Sequence, residues 1–433
     1  MANTYLTRTP SSTGNRQIFT FSAWVKRSKV STVYNTLFYA GANSGTSGTI
    51  AFRFTNNYNL NVYIQDINQL ITTNRVFRDT SAWYHIVLAI DTTQATPDDR
   101  RKLYINGVQE TSFSTSTEVN RNLNLSVNTS GQLQRIGTYS DSGGNLGGYF
   151  DGSMSHVHLI DGTAYDATAF GEFDANGVWK IKTSPSVTYG TNGFFILKDG
   201  NSVTDQSGNG NNFTVAGGTL TKTEDCPSNV FCTLNGLSKN QYMNLYNGNT
   251  SSETNNGNEW ATVSTTLGMN GGKYYCEAKV KNNANQAVLG IYLASLDGGS
   301  QSALDSQRVG LNTGSTSGNI FVQGLFSYSA QSVSPNASNG DIYGIAFDSD
   351  NGSVQFYRNG ATYGSAITNA VLQNQTFMFG CQQLNTNFDW NFGNGYFGTT
   401  AVASAGTNAS GIGIFEYDVP TGFTALSTKG LNL

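Results

Sequence analysis

Residues 18–25 alternate: Phe19, Phe21, Ala23 and Val25 take one side of the chain, and Trp24 falls on the other. A period of two is the mark of an extended strand with one face turned to a core. It returns at 83–91, where Tyr84, Ile86, Leu88 and Ile90 share a side. No segment of the 433 residues carries a long helical period. Gly at 49 positions, with many Asn, Thr and Tyr, favours strands joined by tight turns. Aromatic residues at 12% supply cores that a disordered chain lacks. The expected fold class is all-β, and the length allows two or three domains.

Shorter strands are expected at 36–40, 49–54, 60–65, 101–105, 133–137 and 149–160. Residues 161–235 are more irregular: 163–170 reads as a short helix or turn, and 199–212 as a loop flanked by strands at 194–197 and 212–215. Strands resume at 273–280, 288–294, 319–322, 341–348, 353–358, 377–381 and 388–392, while 401–413 is small and polar, hence a loop. One hairpin pattern occurs twice. An apolar strand ends at Asp91, a loop follows, and then comes Leu103-Tyr104-Ile105-Asn106-Gly107; likewise Asp348 precedes Gln355-Phe356-Tyr357-Arg358-Asn359-Gly360. Asn-Gly is a strong turn signal because both positions tolerate positive φ. The repetition favours two sandwiches of related architecture over one large fold.

Charge excludes one class of partner. The formal net charge is −4, so no global basic field draws in phosphate backbones, and nucleic acid is not an expected partner. No apolar run approaches the ~18 residues of a membrane span, and the first eight residues contain no hydrophobic signal core. Export by a signal peptide is therefore not expected, and Asn-x-Ser/Thr at Asn124, Asn212, Asn249, Asn336 and Asn374 is read as compositional coincidence. Cys226, Cys232, Cys276 and Cys381 form no CxxC and have no His cluster beside them, so zinc-ligand spacing is lacking. Cys276 and Cys381 are expected as unpaired core residues; Cys226 and Cys232, either side of Pro227, are close enough in sequence to bridge.

Polysaccharide hydrolysis would need two carboxylates held ~5–10 Å apart. Glu110, Glu118, Glu172, Glu224, Glu253, Glu259, Glu277 and Glu416 form no pair two to four residues apart on a strand face. His156 and His158 share a strand face and, with His85, are better explained by an aromatic-rich sheet than by a metal or acid–base pair. Asp348-Ser349-Asp350-Asn351-Gly352 and Asp205-Gln206-Ser207-Gly208-Asn209-Gly210-Asn211 are calcium-loop-like, yet turns account for both, and the former lacks an EF-hand's terminal glutamate. Gly143-Gly144-Asn145-Leu146-Gly147-Gly148 precedes a strand, so no helix dipole supports phosphate there. No catalytic residue, metal ligand or cofactor is assigned. Loops at 140–148, 247–259 and 327–340 are the expected ligand contacts.

The segments 21–27 (Phe-Ser-Ala-Trp-Val-Lys-Arg), 83–88, 103–107, 148–155 and 158–162 together resemble laminin-G-like, concanavalin-type jelly rolls. Residues 170–179 and 189–194 resemble a segment of bacteriophage structural proteins. Gly272-Lys273-Tyr274-Tyr275, 344–348, 354–360 and 420–426 resemble a SPRY-type sandwich. The order resembles virion appendage proteins of tailed phages. The resemblance implies two concanavalin A-like jelly-roll sandwiches: 1–165, a linker segment 166–235, and a SPRY-like 236–433. In laminin-G-like domains an Asp-x-Ser-Gly-Asn-Gly-Asn loop precedes the Ala-Trp-Val-Lys strand. Here 194–213 carries it afterwards, which implies a circular permutation in which this segment completes the first sandwich near residues 5–9. The implied function is a non-enzymatic virion surface protein, a tail fibre or a head fibre or decoration, made in the host cytoplasm. Its expected partners are other virion proteins, host surface polysaccharide and further copies of itself, without membrane insertion. A capsule depolymerase and a purely architectural subunit are the alternatives.

Overall fold

The computed structural model describes residues 3–29, 33–67, 70–198, 202–296, 306–314, 318–334 and 337–432. Residues 199–201 of the loop expected at 199–212, and 335–336 of that expected at 327–340 (Asn336 included), lie outside them. Among the described residues the regular structure is strand, apart from short 3-10 turns. The chain divides into two compact units, Met1–Lys222 and Thr223–Leu433. The stretch expected as a linker, 166–235, is thus shared between them rather than a body of its own. Its irregular spacing hides the reason: Phe170, Trp179, Phe194 and Phe213 are buried in the first unit, and Phe231, Cys232 and Leu234 in the second.

The first unit stacks two antiparallel sheets. Across the eight-stranded sheet the order is Phe113–Ser116, Ile71–Val76, Asn59–Ile64, Ile50–Phe54, Asn35–Ala40, Gln134–Ile136, Tyr5–Arg8 and Thr214–Gly217. The six-stranded sheet runs Phe194–Ile196, Gly152–Asp161, Ile18–Arg27, Trp83–Asp91, Arg101–Ile105 and Val108–Glu110. The alternating residues Phe19, Phe21, Ala23 and Val25 meet Phe38, Ile50, Phe52, Leu60 and Val62 in one core. Phe21 is stacked on Phe38 at 5.0 Å and set edge-on to Phe52 at 5.8 Å, the offset and T-shaped geometries aromatic quadrupoles prefer.

Residues 194–217 give a strand to each sheet. Phe194–Ile196 pairs with Val157–Leu159, and Thr214–Gly217 pairs with Tyr5–Thr7. Asp205 shapes the connection by accepting from the backbone N–H groups of Phe195 (2.8 Å), Ser207 (2.9 Å) and Asn211 (2.9 Å). Arg8 ties it down through Gln134 (3.0 Å), Asn192 and Asn211. The Asp205 motif therefore does the work of a turn, as its Gly and Asn content implies.

In the second unit the strands expected at 273–280 and 288–294 are one strand, Lys273–Leu293, and 377–381 and 388–392 are likewise one, Phe377–Asn391. The polar run from Lys281 reads as a break in sequence but is a pair of register shifts, between Val280 and Asn282 and between Asn283 and Gln286. Bulges let a long strand bend without ending. One end of the ribbon pairs with Ile342–Asp348 and then Ser353–Arg358; the other pairs with Arg308–Thr313 and then Gly318–Gln323. Their apolar sides share a core of Cys276, Ala278, Leu289, Val309, Phe347, Phe356, Phe379, Cys381 and Trp390. None of Cys226, Cys232, Cys276 and Cys381 is in a disulfide.

Both Asn-Gly turns have positive φ at each position: 48° and 82° at Asn106-Gly107, 51° and 80° at Asn359-Gly360. Each Asn hooks the neighbouring strand with backbone and side chain alike. His85 N–H donates to Asn106 Oδ1 (2.8 Å) and Asn106 N–H to the His85 carbonyl (2.9 Å). Ile342 N–H donates to Asn359 Oδ1 (2.9 Å) and Asn359 N–H to the Ile342 carbonyl (2.8 Å).

Truncating a large buried aromatic typically costs about 3–5 kcal/mol. Trp83 and Trp390 are 7% and 0% exposed. Trp83→Ala is expected to make the first unit unfold before the second, and Trp390→Ala the reverse. Denaturant titration with limited proteolysis at each midpoint identifies which unit opens first; a midpoint unmoved by Trp390→Ala would contradict its place in the core.

Candidate functional site

The outer face of the six-stranded sheet is closed. Trp24, His85, His156 and His158 point there and are all buried. Residues 163–193 cross them as a strap, with a 3-10 turn at Ala167–Ala169 and a small hairpin of Gly171–Phe173 and Trp179–Ile181. Trp179 seats on the Asn-Gly turn: a Cβ at Gly107 would stand 2.3 Å from its ring. Its indole Nε1–H donates to His85 Nδ1 (3.0 Å), so the proton of His85 sits on Nε2, 2.9 Å from Ser22 Oγ. Ser22 therefore has no base beside it and is not an activated nucleophile. Burial pushes His85 down to about 3, with His156 adding to the effect, and pushes His158 well below its usual range. His156 and His158 both meet Phe195, at 5.5 and 4.0 Å, despite a bulge that gives His156 a φ of 49°. His158 Nδ1 is also 3.0 Å from the Tyr189 hydroxyl. The histidines are gathered in an aromatic layer, with His85 and His158 as neutral rings.

The second unit has a strap of its own. Phe415 lies edge-on to Tyr275 at 5.1 Å, and a Cβ at Gly360 would stand 2.6 Å from the Tyr417 ring. Beneath it Glu277 is fully buried and accepts from Glu416 N–H (2.9 Å), Tyr417 N–H (2.9 Å), Asn391 Nδ2 (3.2 Å) and Tyr275 OH (3.3 Å). Desolvation pushes its carboxyl up to about 7 in spite of these donors. It anchors the strap and is sealed from any polymer outside.

The other carboxylates weighed from sequence are spread out. Glu110 pairs with Arg75 (2.7 Å), Glu253 with Lys281 (2.5 Å) and Glu172 with Lys182 (3.9 Å). Asp348 pairs with Lys273 (3.0 Å) and accepts from Asn351 N–H (3.0 Å), closing its turn. Among the described residues no group of three or more His, Cys, Asp or Glu is placed to hold a metal. Two expected contact loops contain strands: Ser251–Thr254 pairs with Phe388–Asp389 and with Met243–Tyr246, and Gln331–Val333 pairs with Gly318–Ile320. Ser251 and Ser252 point to opposite faces and are both buried though polar, so the sequence carries no apolar alternation to mark that strand. Residues 140–148 do form a hairpin loop, between Tyr139–Ser140 and Leu146–Gly147.

That hairpin flanks the outer face of the eight-stranded sheet, which carries a different surface. Arg53, Asn61 and Thr72 stand in one cross-strand row, and Arg135, Tyr39, Ala51 and Tyr63 in the next. The Arg53 guanidinium lies 3.9 Å from the Tyr34 ring centre, 5.1 Å from that of Tyr63 and 6.0 Å from that of Tyr139. Its Nε donates to Asn61 Oδ1 (3.2 Å). Desolvation lowers its pKa, opposed only by the three tyrosine hydroxyls. Arg135 lies over Tyr39 at 5.4 Å, and the Tyr39 hydroxyl donates to the Ser140 carbonyl (3.2 Å). Tyr139 packs on Gly148, whose φ is +57° and whose Cβ would stand 2.6 Å from the ring. A half-buried sheet face of tyrosines and arginine can stack against a sugar ring and donate to its oxygens.

Only the hairpin was among the expected contacts. Arg53 and Tyr63 had a signal nonetheless: Ile50, Phe52 and Phe54 turn inward, as do Leu60, Val62 and Ile64, which sends Arg53, Asn61 and Tyr63 to the other side.

The first unit is a concanavalin A-like sandwich: residues 2–167 match the sequence model of the Concanavalin A-like lectin/glucanases superfamily. Among solved structures the chain is similar to the PSpry domain of TRIM65, at 15% identity over 37% of this chain and 89% of that one, TM-score 0.30. It is similar to the SPRY domain of human HERC1, at 12% identity over 36% and 96%, TM-score 0.28. A heptameric SAP-like pentraxin from Limulus polyphemus is similar at 14% identity over 38% and 72%, TM-score 0.29. No curated protein sequence matches the chain.

Glu277 makes stability depend on pH. Its carboxyl is raised from 4.5 to about 7 in the fold, so between those values the native state holds more proton than the unfolded chain. Its contribution is full below pH ~4.5 and is lost as pH rises toward 7, a change of about 3 kcal/mol at most. Denaturant midpoints of the second unit, taken from pH 4 to 8, should fall more steeply with rising pH in the wild type than in Glu277→Gln. Parallel curves would mean that the donors keep Glu277 ionised throughout.

Proposed function

We propose that the chain is a non-enzymatic glycan-binding protein carried on the surface of a tailed-phage virion, where it attaches to host polysaccharide or joins other virion proteins. The observation that carries the glycan reading is the tyrosine–arginine face of the eight-stranded sheet, on a sandwich whose other sheet is closed by its strap. The name of the matching superfamily, lectin and glucanase together, agrees with carbohydrate as ligand. The virion reading rests on the order of laminin-G-like, phage-type and SPRY-like segments along the sequence. Binding without cleavage is favoured because Glu277, whose carboxyl is raised to about 7, is sealed beneath the second strap. A single shallow sugar site gives an affinity of about millimolar, and many copies on one particle raise avidity by roughly 10²–10⁴.

Particles treated with antibody to this protein, or lacking it, should adsorb less to host cells while remaining intact. The purified protein should be retained on immobilised host polysaccharide and release no reducing ends from it. Released ends or falling viscosity would make it a depolymerase. Unchanged adsorption with unstable particles would make it architectural.

A further inference from the structure

The buried arginines of the first unit spend their terminal nitrogens on fixed acceptors. Arg8 reaches Gln134 and Asn192, and Arg27 reaches the Phe77 carbonyl (2.6 Å) and Asn35 (3.2 Å). Arg100 donates to the Val119 and Ala95 carbonyls (2.7 Å each), and Arg135 to the Gly41 carbonyl (3.3 Å). Arg53 differs. Only its Nε is engaged, by Asn61; among the described residues its two terminal nitrogens meet no acceptor, and the residue is only partly buried. No carboxylate pairs with it among the described residues. The Asp141 carboxylate, in the flanking hairpin, is taken up by Gly143 N–H (2.9 Å) and Asn145 N–H (2.8 Å) of its own loop.

A guanidinium that has lost much of its water and is walled by three tyrosine rings keeps two N–H-bearing nitrogens for an acceptor from outside. Tyrosine faces hold the cation in place through their quadrupoles but accept no proton from its N–H groups. The fork of parallel N–H groups matches a carboxylate or sulfate bidentately. Arg135, the other cation on this face, lies over Tyr39 and donates to the Gly41 carbonyl, so Arg53 offers one open fork, which suits a single negative charge better than a phosphate monoester.

We propose that this face binds an acidic saccharide, a sugar residue bearing one negative charge, with the anion on the Arg53 terminal nitrogens and the ring against Tyr63 and Tyr139. The proposal rests on the glycan reading above and names its ligand class.

The test measures retention of the purified full chain on three immobilised polymers: a polyuronate, a sulfated polysaccharide and a neutral glucan. Retention on either acidic polymer, with the glucan far weaker at equal ionic strength, is the expected result, and the stronger of the two identifies the anion. Free glucuronate should displace wild-type protein from the polyuronate where glucose at the same concentration and ionic strength does not; for the sulfated polymer, a sulfated monosaccharide is the competitor. Arg53→Gln should weaken binding roughly 10- to 100-fold, the usual worth of hydrogen bonds to a charged group, with Arg53→Lys in between. Competition on unaltered protein keeps the test valid if Arg53→Gln misfolds. Equal retention on the neutral glucan, or displacement by glucose, overturns the acidic assignment and leaves the glycan reading intact. Retention on none of the host polysaccharide or the three polymers overturns both.

Discussion

The strand Ile18–Arg27 is buried along nearly its whole length, on both faces. A strand so placed needs cover above and below, since an exposed sheet face of Trp24 and three histidines would be a large sticky patch. One side is met by the eight-stranded sheet. The other is met by the strap, whose regular structure is one 3-10 turn and one small hairpin. The strap therefore exists because the sheet beneath it is aromatic on its outer side, and the positions of Trp179, Tyr189 and Phe170 follow from that need. The second unit meets the same need by the same device, with Phe415 over Tyr275 in place of Trp179 beside His85.

The two straps also share a docking point. Each crosses the Asn-Gly turn of its own sheet, where only glycine leaves room for an aromatic ring. A turn chosen for positive φ thus gains a second use as a seat. Gly107 and Gly360 are constrained twice, by backbone angle and by the ring above, so either constraint alone would exclude alanine. With one face of each unit committed in this way, the first sandwich keeps its eight-stranded sheet as the one without a strap.

Alternation at 18–25 and 83–91, the Asn-Gly turns and the all-β class were legible because period and turn chemistry are local properties. Lys273–Leu293 was not, since a polar bulge and a loop have the same local composition and differ only in what lies across from them. The reach of 166–193 into the first unit was hidden for a related reason: Phe170 and Trp179 are isolated apolar residues in polar chain, and burial of a lone aromatic depends on distant partners. The Arg53 face was half visible. Alternation placed Arg53 and Tyr63 on one side of the sheet, but nothing local joins Tyr34, Tyr63 and Tyr139 around one guanidinium.

The strand Tyr5–Arg8 lies between Gln134–Ile136 and Thr214–Gly217, so the start of the first unit is paired with its end. During synthesis this strand leaves the ribosome well before its last partner, which emerges some two hundred residues later. At about 5–20 residues per second, that is a wait of roughly ten to forty seconds. Until then Leu6 lacks its last neighbour, and Trp24 and His85 lack their strap until residues 163–193 have emerged. A protein made in many copies at once would meet itself in that state, and low temperature or slow translation lengthens the exposure. The placement of one four-residue strand thus makes yield a matter of kinetics as much as of final stability.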